Sequence, residues 1–162
     1  MGDIFAGRST RGLHPVGLGP ETALGQYMRA HLLQGGTFAK EFTAFPQSAD
    51  VVRAVAHDPR AIGFTAAVRV DAGVRVLALA ARPDEAPVAL TEANVRAGRY
   101  PLDRFLMICA SQPIEPWIRD YLGLVLSRDG QLAIAGGSLG YLPLNATEAA
   151  AERQKFPPAP AR

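Results

Sequence analysis

Two segments of the chain carry apolar residues at the i, i+3, i+4 and i+7 spacing of a helix face. We expect the first helix to begin near Pro20 and to end before Gly35, and the second to begin at Pro113. The apolar face of the first helix carries Leu24, Tyr27, Met28, His31 and Leu32. The apolar face of the second carries Ile114, Trp117, Ile118, Tyr121, Leu122 and Val125.

Shorter segments between these helices predict an alternation of strands and further helices. Strands are predicted near 38–44, 61–65, 74–81 and 104–110, and the last is apolar throughout, which indicates burial on both faces. Helices are predicted at 48–57 and 91–97, and after Asn145, where Asn145 and Glu148 match a capping box. Residues 127–135 are predicted to be a helix or a turn. Residues 1–19 are rich in glycine and are predicted to form a loop. The alternation predicts an α/β fold.

Composition narrows the class of protein. The chain has 162 residues, a length that supports one domain or one and a half. Of these residues 48% are hydrophobic, which excludes disorder over most of the chain. The apolar runs are far shorter than a membrane-spanning helix requires, and the N-terminus shows no signal-peptide pattern. The formal net charge is +2, and the basic residues are scattered singly, so we expect no binding to nucleic acid.

No arrangement of reactive side chains predicts catalysis. His14, His31 and His57 lack the spacing of metal ligands, and Cys109 has no evident partner that would make it a nucleophile. Ser138 lies between two glycines but follows a predicted helix, whereas a nucleophile elbow joins a strand to a helix. We therefore predict a protein that is not an enzyme and uses no metal or cofactor.

The glycine-rich approach to the first long helix, residues 17–25, is the most informative local feature. Such a loop exposes backbone N–H groups at the positive end of the helix, where an oxyanion binds favourably. The alternative is that Gly19 only caps the helix and that the loop is a tight turn, since glycine before a helix is common.

Five segments, in order along the chain, resemble motifs of phosphate ABC transporter substrate-binding proteins. They are residues 4–7 (I-F-A-G), 58–64 (D-P-R-A-I-G-F), 100–106 (Y-P-L-D-R-F-L), 117–131 (ending L-S-R-D-G-Q) and 140–144 (G-Y-L-P-L). The resemblance implies a lobe of the type II periplasmic-binding-protein fold, with a mixed sheet flanked by helices. Within 1–156, residues of about 4–110 would form the central lobe and 111–156 the return segment, and 157–162 would be a proline-rich tail.

The same resemblance implies a function. It predicts a non-catalytic domain that binds phosphate or a related oxyanion for ABC-type uptake or sensing, with ABC permease subunits as partners and a periplasmic location. A two-lobe protein of this kind would have about 100 further residues before this region.

The resemblance places the ligand at the start of the first long helix. Thr22, Ala23 and Leu24 align with the family's Ser-Gly-Thr, whereas Leu18 stands at the position of its arginine and Pro20 at that of its aspartate. One charge-assisted hydrogen bond is worth about 1.5–3 kcal/mol, so the missing guanidinium would weaken binding roughly ten- to a hundredfold. Arg8 and Arg11 are candidates to replace it.

Gln47 and Ser48, at the start of the next helix, resemble a further ligand-binding position; the alternative is that Ser48 is a plain N-cap. A second function also stays open: the lobe could be degenerate and act as an assembly module without a ligand. In the family the helix over 114–125 packs on a lobe whose first part we expect to be missing from this sequence; the alternative is that the helix folds back on its own sheet. An uncovered apolar stripe favours association, so we expect a homo-oligomer.

Overall fold

The computed structural model describes residues 1–9, 11–67, 73–137 and 140–156. It divides the chain into two compact units, Met1–Val76 and Leu77–Arg162. The predicted proline-rich tail at 157–162 and Ser138 lie outside the described residues.

The first unit is a small parallel sheet with helices. Its elements in chain order are α1 (Gly2–Phe5), β1 (His14–Leu18), α2 (Ala23–Leu32), β2 (Thr43–Phe45), α3 (Ser48–His57) and β3 (Ala61–Phe64). The strands lie in the order β2-β1-β3, and β1 runs parallel to both neighbours. Each strand of this sheet is followed by a loop at the same, carboxyl-terminal edge.

One face of the sheet packs against α3. A Cβ on Gly63 would lie 3.0–3.1 Å from side-chain atoms of Val16, Val51 and Val55, so the glycine allows the helix to approach the strands closely. Val51 and Val52 are almost completely buried there. Removing apolar surface of this kind from water is the main stabilising term in folding.

The other face is covered by an aromatic cluster. Phe64 stacks with Phe38 and Phe42, at centroid distances of 5.8 and 5.9 Å, and contacts Phe5 at 5.5 Å. The Phe64 ring occupies the space where a side chain on Gly17 would lie. Glycine at position 17 is therefore a packing requirement of the central strand.

The second unit is mainly helical. Its elements are α4 (Glu92–Arg96), α5 (Pro116–Val125), α6 (Arg128–Ala135) and α7 (Ala146–Gln154), with an isolated antiparallel bridge between Leu79 and Val88. The buried Gln131 amide joins these elements, since its nitrogen donates to the Val125 carbonyl at 2.8 Å and its oxygen accepts from the Leu144 N–H at 2.6 Å. Arg153 Nη1 of α7 donates to the Leu126 carbonyl at 2.5 Å.

The structure confirms the predicted α/β class and most of the predicted helices. The capping box at Asn145 and Glu148 is formed, and Thr91 caps the predicted short helix that becomes α4. The expected mixed sheet is parallel in its three strands, and the bridge between Leu79 and Val88 is the antiparallel pairing among the described residues. The first long helix forms as α2, and the second begins at Pro116 rather than at Pro113.

The strand predictions are only partly confirmed. The strand at 61–65 forms as β3, whereas the one at 38–44 is reduced to β2, and 74–81 contributes only the bridge at Leu79. The prediction of a buried strand at 104–110 is wrong. The segment is in no described strand, and Phe105 and Met107 are 77% and 78% exposed. A continuous apolar run becomes a buried strand only when neighbours flank it, and no described strand does so here.

The central strand β1 was expected to be a loop. Its sequence includes Pro15 and Gly17, which disfavour a central strand in isolation. Burial overrides this preference, because Pro15, Val16 and Gly17 are all buried between α3 and the aromatic cluster. This correction matters for function, since β1 leads directly into the glycine-rich approach to α2.

Candidate functional site

The loops after β1 and β2 emerge side by side at the carboxyl edge of the sheet. Leu18 and Phe45, the last residues of the two strands, are register partners. The Gly19 N–H donates to the Phe45 carbonyl at 3.2 Å and so links the two loops. In open α/β sheets this edge is where ligands bind, because the N-termini of the following helices point towards it.

Thr22 is the N-cap of α2. Its hydroxyl accepts from the Gly25 N–H at 3.0 Å and donates to the Gly19 carbonyl at 2.8 Å. Ala23 and Leu24 follow as the first helical residues, and N–H groups at these positions have no acceptor within a helix. A Thr22 hydroxyl that donates to Gly19 has no proton left for an anion, so the backbone N–H groups are the available donors.

The same capping arrangement recurs where α6 begins. Ser127 Oγ donates to the Leu124 carbonyl at 2.6 Å and accepts from the Gly130 N–H at 3.0 Å. A Cβ on Gly130 would overlap the Leu124 carbonyl oxygen, just as a Cβ on Gly25 would overlap that of Gly19. Thr22 and Gly25 are thus explained locally as a tight cap. The alternative interpretation of the glycine-rich approach named Gly19 as the cap, whereas Thr22 holds the N-cap position.

The start of α3 differs, because no side chain caps it. Gln47 occupies the N-cap position in an extended conformation and makes no capping hydrogen bond with its side chain. Ser48, predicted as a possible plain N-cap, is instead the first helical residue and is half-buried. The first N–H groups of α3 therefore lack the side-chain acceptor that Thr22 provides for α2.

Thr65 contributes a hydroxyl that the sequence analysis did not single out. It follows β3 directly, and the pairing of Gly17 with Phe64 places it beside Leu18 at the same edge of the sheet. Its Oγ1 is buried and has no hydrogen-bond partner among the described residues. In the sequence this hydroxyl is marked only by a threonine directly after a buried strand. Its position at this edge can be inferred only once β1 is recognised as the neighbouring strand.

The charges near this edge do not reproduce the arginine of the family. The Glu21 carboxylate lies over Gly19, where a Cβ on that glycine would overlap it. Arg8 donates through Nε to Asp3 at 2.9 Å, and its Nη2 lies 2.8 Å from the same carboxylate. Arg11 lies three residues before β1, at the amino end of that strand. The hydrogen-bond donors at this edge are thus mainly neutral backbone N–H groups.

A second polar pair lies at the opposite, amino edge of the sheet. His14 Nδ1 of β1 is 2.5 Å from Asp58 Oδ2, and Asp58 Oδ1 accepts from the Arg60 N–H at 2.8 Å. The Arg60 N–H, and then the contact with His14, lower the pKa of the Asp58 carboxyl below its usual value. The pair fixes the turn between α3 and β3 and is remote in the fold from the carboxyl edge.

Two further properties bear on the class of protein. No cluster of three or more histidine, cysteine, aspartate or glutamate side chains suited to a metal ion occurs in the described part of the chain. Within the same residues no helix combines the length and apolar character that crossing a bilayer requires.

Comparison with known proteins shows which proteins this chain resembles in sequence. The chain matches no protein-family model. Two curated proteins named phosphate-binding protein PstS, from two strains of Pseudomonas aeruginosa, are each 34% identical to it over 124 residues, which is 74% of this chain. Over this region the chain is homologous to these two phosphate-binding proteins. It spans 38% of the length of these relatives.

The homology confirms the resemblance seen in the sequence motifs, and it does not assign individual ligand residues. The structure brings all five predicted site residues to one edge of the sheet, where α2 and α3 begin: Thr22, Ala23, Leu24, Gln47 and Ser48. Their roles as ligand-binding residues stay predictions.

Proposed function

We propose that this chain is a non-catalytic domain that binds phosphate or a related oxyanion at the carboxyl edge of its sheet. The observation that carries the proposal is the register of Leu18 with Phe45, which places the starts of α2 and α3 at adjacent strand ends. Two helix N-termini at one edge offer several N–H donors and two positive dipole ends to a single anion.

The donors in this proposal are the N–H groups of Ala23 and Leu24 on α2 and of Ser48 on α3, with the Gln47 side-chain amide beside them. Thr22 acts mainly by positioning, since its hydroxyl holds the Gly19–Gly25 turn in place. Neutral donors without a guanidinium predict an affinity weaker than that of a site with a charged arginine.

The homology to phosphate-binding proteins favours phosphate as the anion and a place in ABC-type uptake or sensing, with permease subunits as partners. It likewise favours a periplasmic location. These properties belong to whole proteins of which this chain spans 38%, and for this chain they are part of the proposal.

Calorimetric titration with phosphate and with sulfate tests the site. Ala23→Pro removes one N–H at the first helical position, where proline fits, and the extended Thr22 backbone (ψ 153°) suits a following proline. The matched control is Ala146→Pro, at the first position of α7 after an equally extended Asn145. We expect phosphate binding to weaken in Ala23→Pro only. Unchanged binding after Ala23→Pro combined with Thr22→Val would place the site elsewhere.

The second candidate function is an assembly module without a ligand. It is favoured by the exposure of large apolar side chains in the second unit, such as Phe105 and Trp117. Two inexpensive measurements distinguish the two functions. Oxyanion binding predicts thermal stabilisation by phosphate, whereas a pure assembly module predicts no stabilisation but a mass that rises with protein concentration.

A further inference from the structure

The hydroxyl of Thr65 stands out among the buried polar groups of the described residues. Its Oγ1 is shielded from solvent and is the side-chain oxygen or nitrogen that lacks a hydrogen-bond partner in this part of the chain. A hydroxyl removed from water without a partner costs free energy, so native structures hold few of them. Folding gains nothing from this hydroxyl, whereas a ligand that accepts its proton would.

Thr65 belongs to the face of the sheet that α3 covers. Side chains two residues apart on a strand share a face, and a Cβ on Gly63 would lie 3.0–3.1 Å from side-chain atoms of Val51 and Val55. Thr65 lies two residues further towards the carboxyl edge. Because α3 joins the end of β2 to the start of the parallel strand β3, it begins at this edge and runs back along the sheet. The first turn of α3 is therefore level with Thr65.

This first turn of α3 carries hydrogen-bond donors that the helix itself does not use. The first hydrogen bond at the start of α3 runs from the Asp50 N–H to the Gln47 carbonyl at 3.2 Å. The N–H groups of Ser48 and Ala49 precede it and have no acceptor within the helix, and the Gln47 side chain does not cap them. The Thr65 hydroxyl accepts from neither group, since it has no partner. These donors share one requirement, an acceptor with several oxygens, which an oxyanion supplies.

We propose that the Thr65 hydroxyl donates a hydrogen bond to the bound oxyanion, so that the loop after β3 completes the site. This inference rests on the proposed function. The end of β1 at Leu18 lies between Phe45 and Thr65, and all three strand ends border the same edge. Thr65 as a whole is half-buried, and a change of its χ1 rotamer turns the hydroxyl outwards when the anion binds. Unlike Thr22, whose hydroxyl donates to the Gly19 carbonyl, Thr65 has a proton to offer.

Calorimetric titration of Thr65→Val with phosphate, together with urea unfolding of the phosphate-free protein, tests this role. We expect phosphate binding to weaken roughly ten- to a hundredfold, as for a lost hydrogen bond to a charged group. The unfolding midpoint should stay the same or rise, because the free protein loses no hydrogen bond. Thr65→Ser keeps the hydroxyl and should keep most of the affinity. The matched control is Thr43→Val, an exposed threonine on β2 away from this edge, which should leave phosphate binding unchanged.

The outcomes separate this inference from the proposed function. Unchanged phosphate binding in Thr65→Val, with binding still weakened by Ala23→Pro, would overturn the role of Thr65 and leave the site at this edge intact. A lower unfolding midpoint with unchanged affinity would show that water holds the hydroxyl in the free protein, and would also overturn it. Wild-type protein that binds neither phosphate nor sulfate would overturn both. Thr65→Ala, which removes the hydroxyl and adds no new group, should lose the same affinity and decides the question if Thr65→Val folds poorly.

Discussion

Leu18 and Phe45 lie directly opposite each other as the last residues of two parallel strands. This pairing decides where the following loops go. The turn that caps α2 and the uncapped start of α3 leave the sheet at neighbouring points, joined by the hydrogen bond from the Gly19 N–H to the Phe45 carbonyl. The predicted oxyanion site therefore depends on the sheet register more than on any single side chain.

The first prediction concerns the hydroxyl of Thr22. Thr22→Val removes both hydrogen bonds of the cap, so we expect the free energy of unfolding to fall by about 1 kcal/mol, measured by urea denaturation. Thr22→Ser should retain most of this stability. Ser127→Ala removes the equivalent cap of α6 and should cost a similar amount without changing phosphate binding. Equal stability of Thr22→Val and wild type would contradict the capping role.

The second prediction concerns Gly25 and uses Gly123 as its control. A Cβ on Gly25 would overlap the Gly19 carbonyl oxygen, so Gly25→Ala must move the turn before α2 and should destabilise the protein by about 1–3 kcal/mol. Gly123 lies within α5 with open space beside it, and Gly123→Ala should stabilise the helix by up to about 1 kcal/mol. Thermal unfolding of both variants provides the test, and a neutral Gly25→Ala would show that the turn is not tightly packed.

The third prediction concerns the central strand. The Phe64 ring fills the space beside Gly17, so Gly17→Ala should lower the free energy of unfolding by about 1–3 kcal/mol through overpacking. The double variant Gly17→Ala/Phe64→Leu should lose less than the sum of the two single losses, because the smaller side chain leaves room for the methyl group. Additive losses in the double variant would mean that the two residues do not compete for the same space.

The fourth prediction concerns the pH dependence of stability. The pKa of Asp58 is lower in the folded protein because the Arg60 N–H and then His14 contact its ionised form. The unfolded chain therefore binds the proton more readily, and the stabilisation by Asp58 is present above about pH 4 and is lost as the pH falls through the folded pKa. Asp58→Asn should thus be less stable than wild type near neutral pH, and the difference in the free energy of unfolding should shrink in acid. A difference that stays constant down to about pH 2 would exclude this linkage.

Local signals in the sequence were sufficient for most helices. Thr91, Ser127 and Asn145 each cap a helix through a side chain that bonds three residues ahead, and such short-range chemistry is readable from the sequence. The helix at 48–57 was predicted from its valine face and from Ser48 as the N-cap, and it forms as α3, although Gln47 rather than Ser48 holds the N-cap position.

The strands depended on partners that local patterns do not reveal. β1 contains a proline and a glycine yet is the central strand, because α3 and Phe64 bury it from both sides. The segment around Phe105 is more apolar than β1 and yet is exposed, since no described strand pairs with it. The buried, unpartnered hydroxyl of Thr65 at this edge was not predicted for the same reason, because its position beside Leu18 follows from the pairing of β1 with β3.

Backbone-amide NMR of the isotope-labelled chain, titrated with phosphate, tests the proposed site most directly. The account predicts saturable shifts of the Ala23, Leu24 and Ser48 amides, with the amides at the start of α7 unchanged. Shifts confined to other parts of the chain, or none at millimolar phosphate, would contradict an oxyanion site at the starts of α2 and α3.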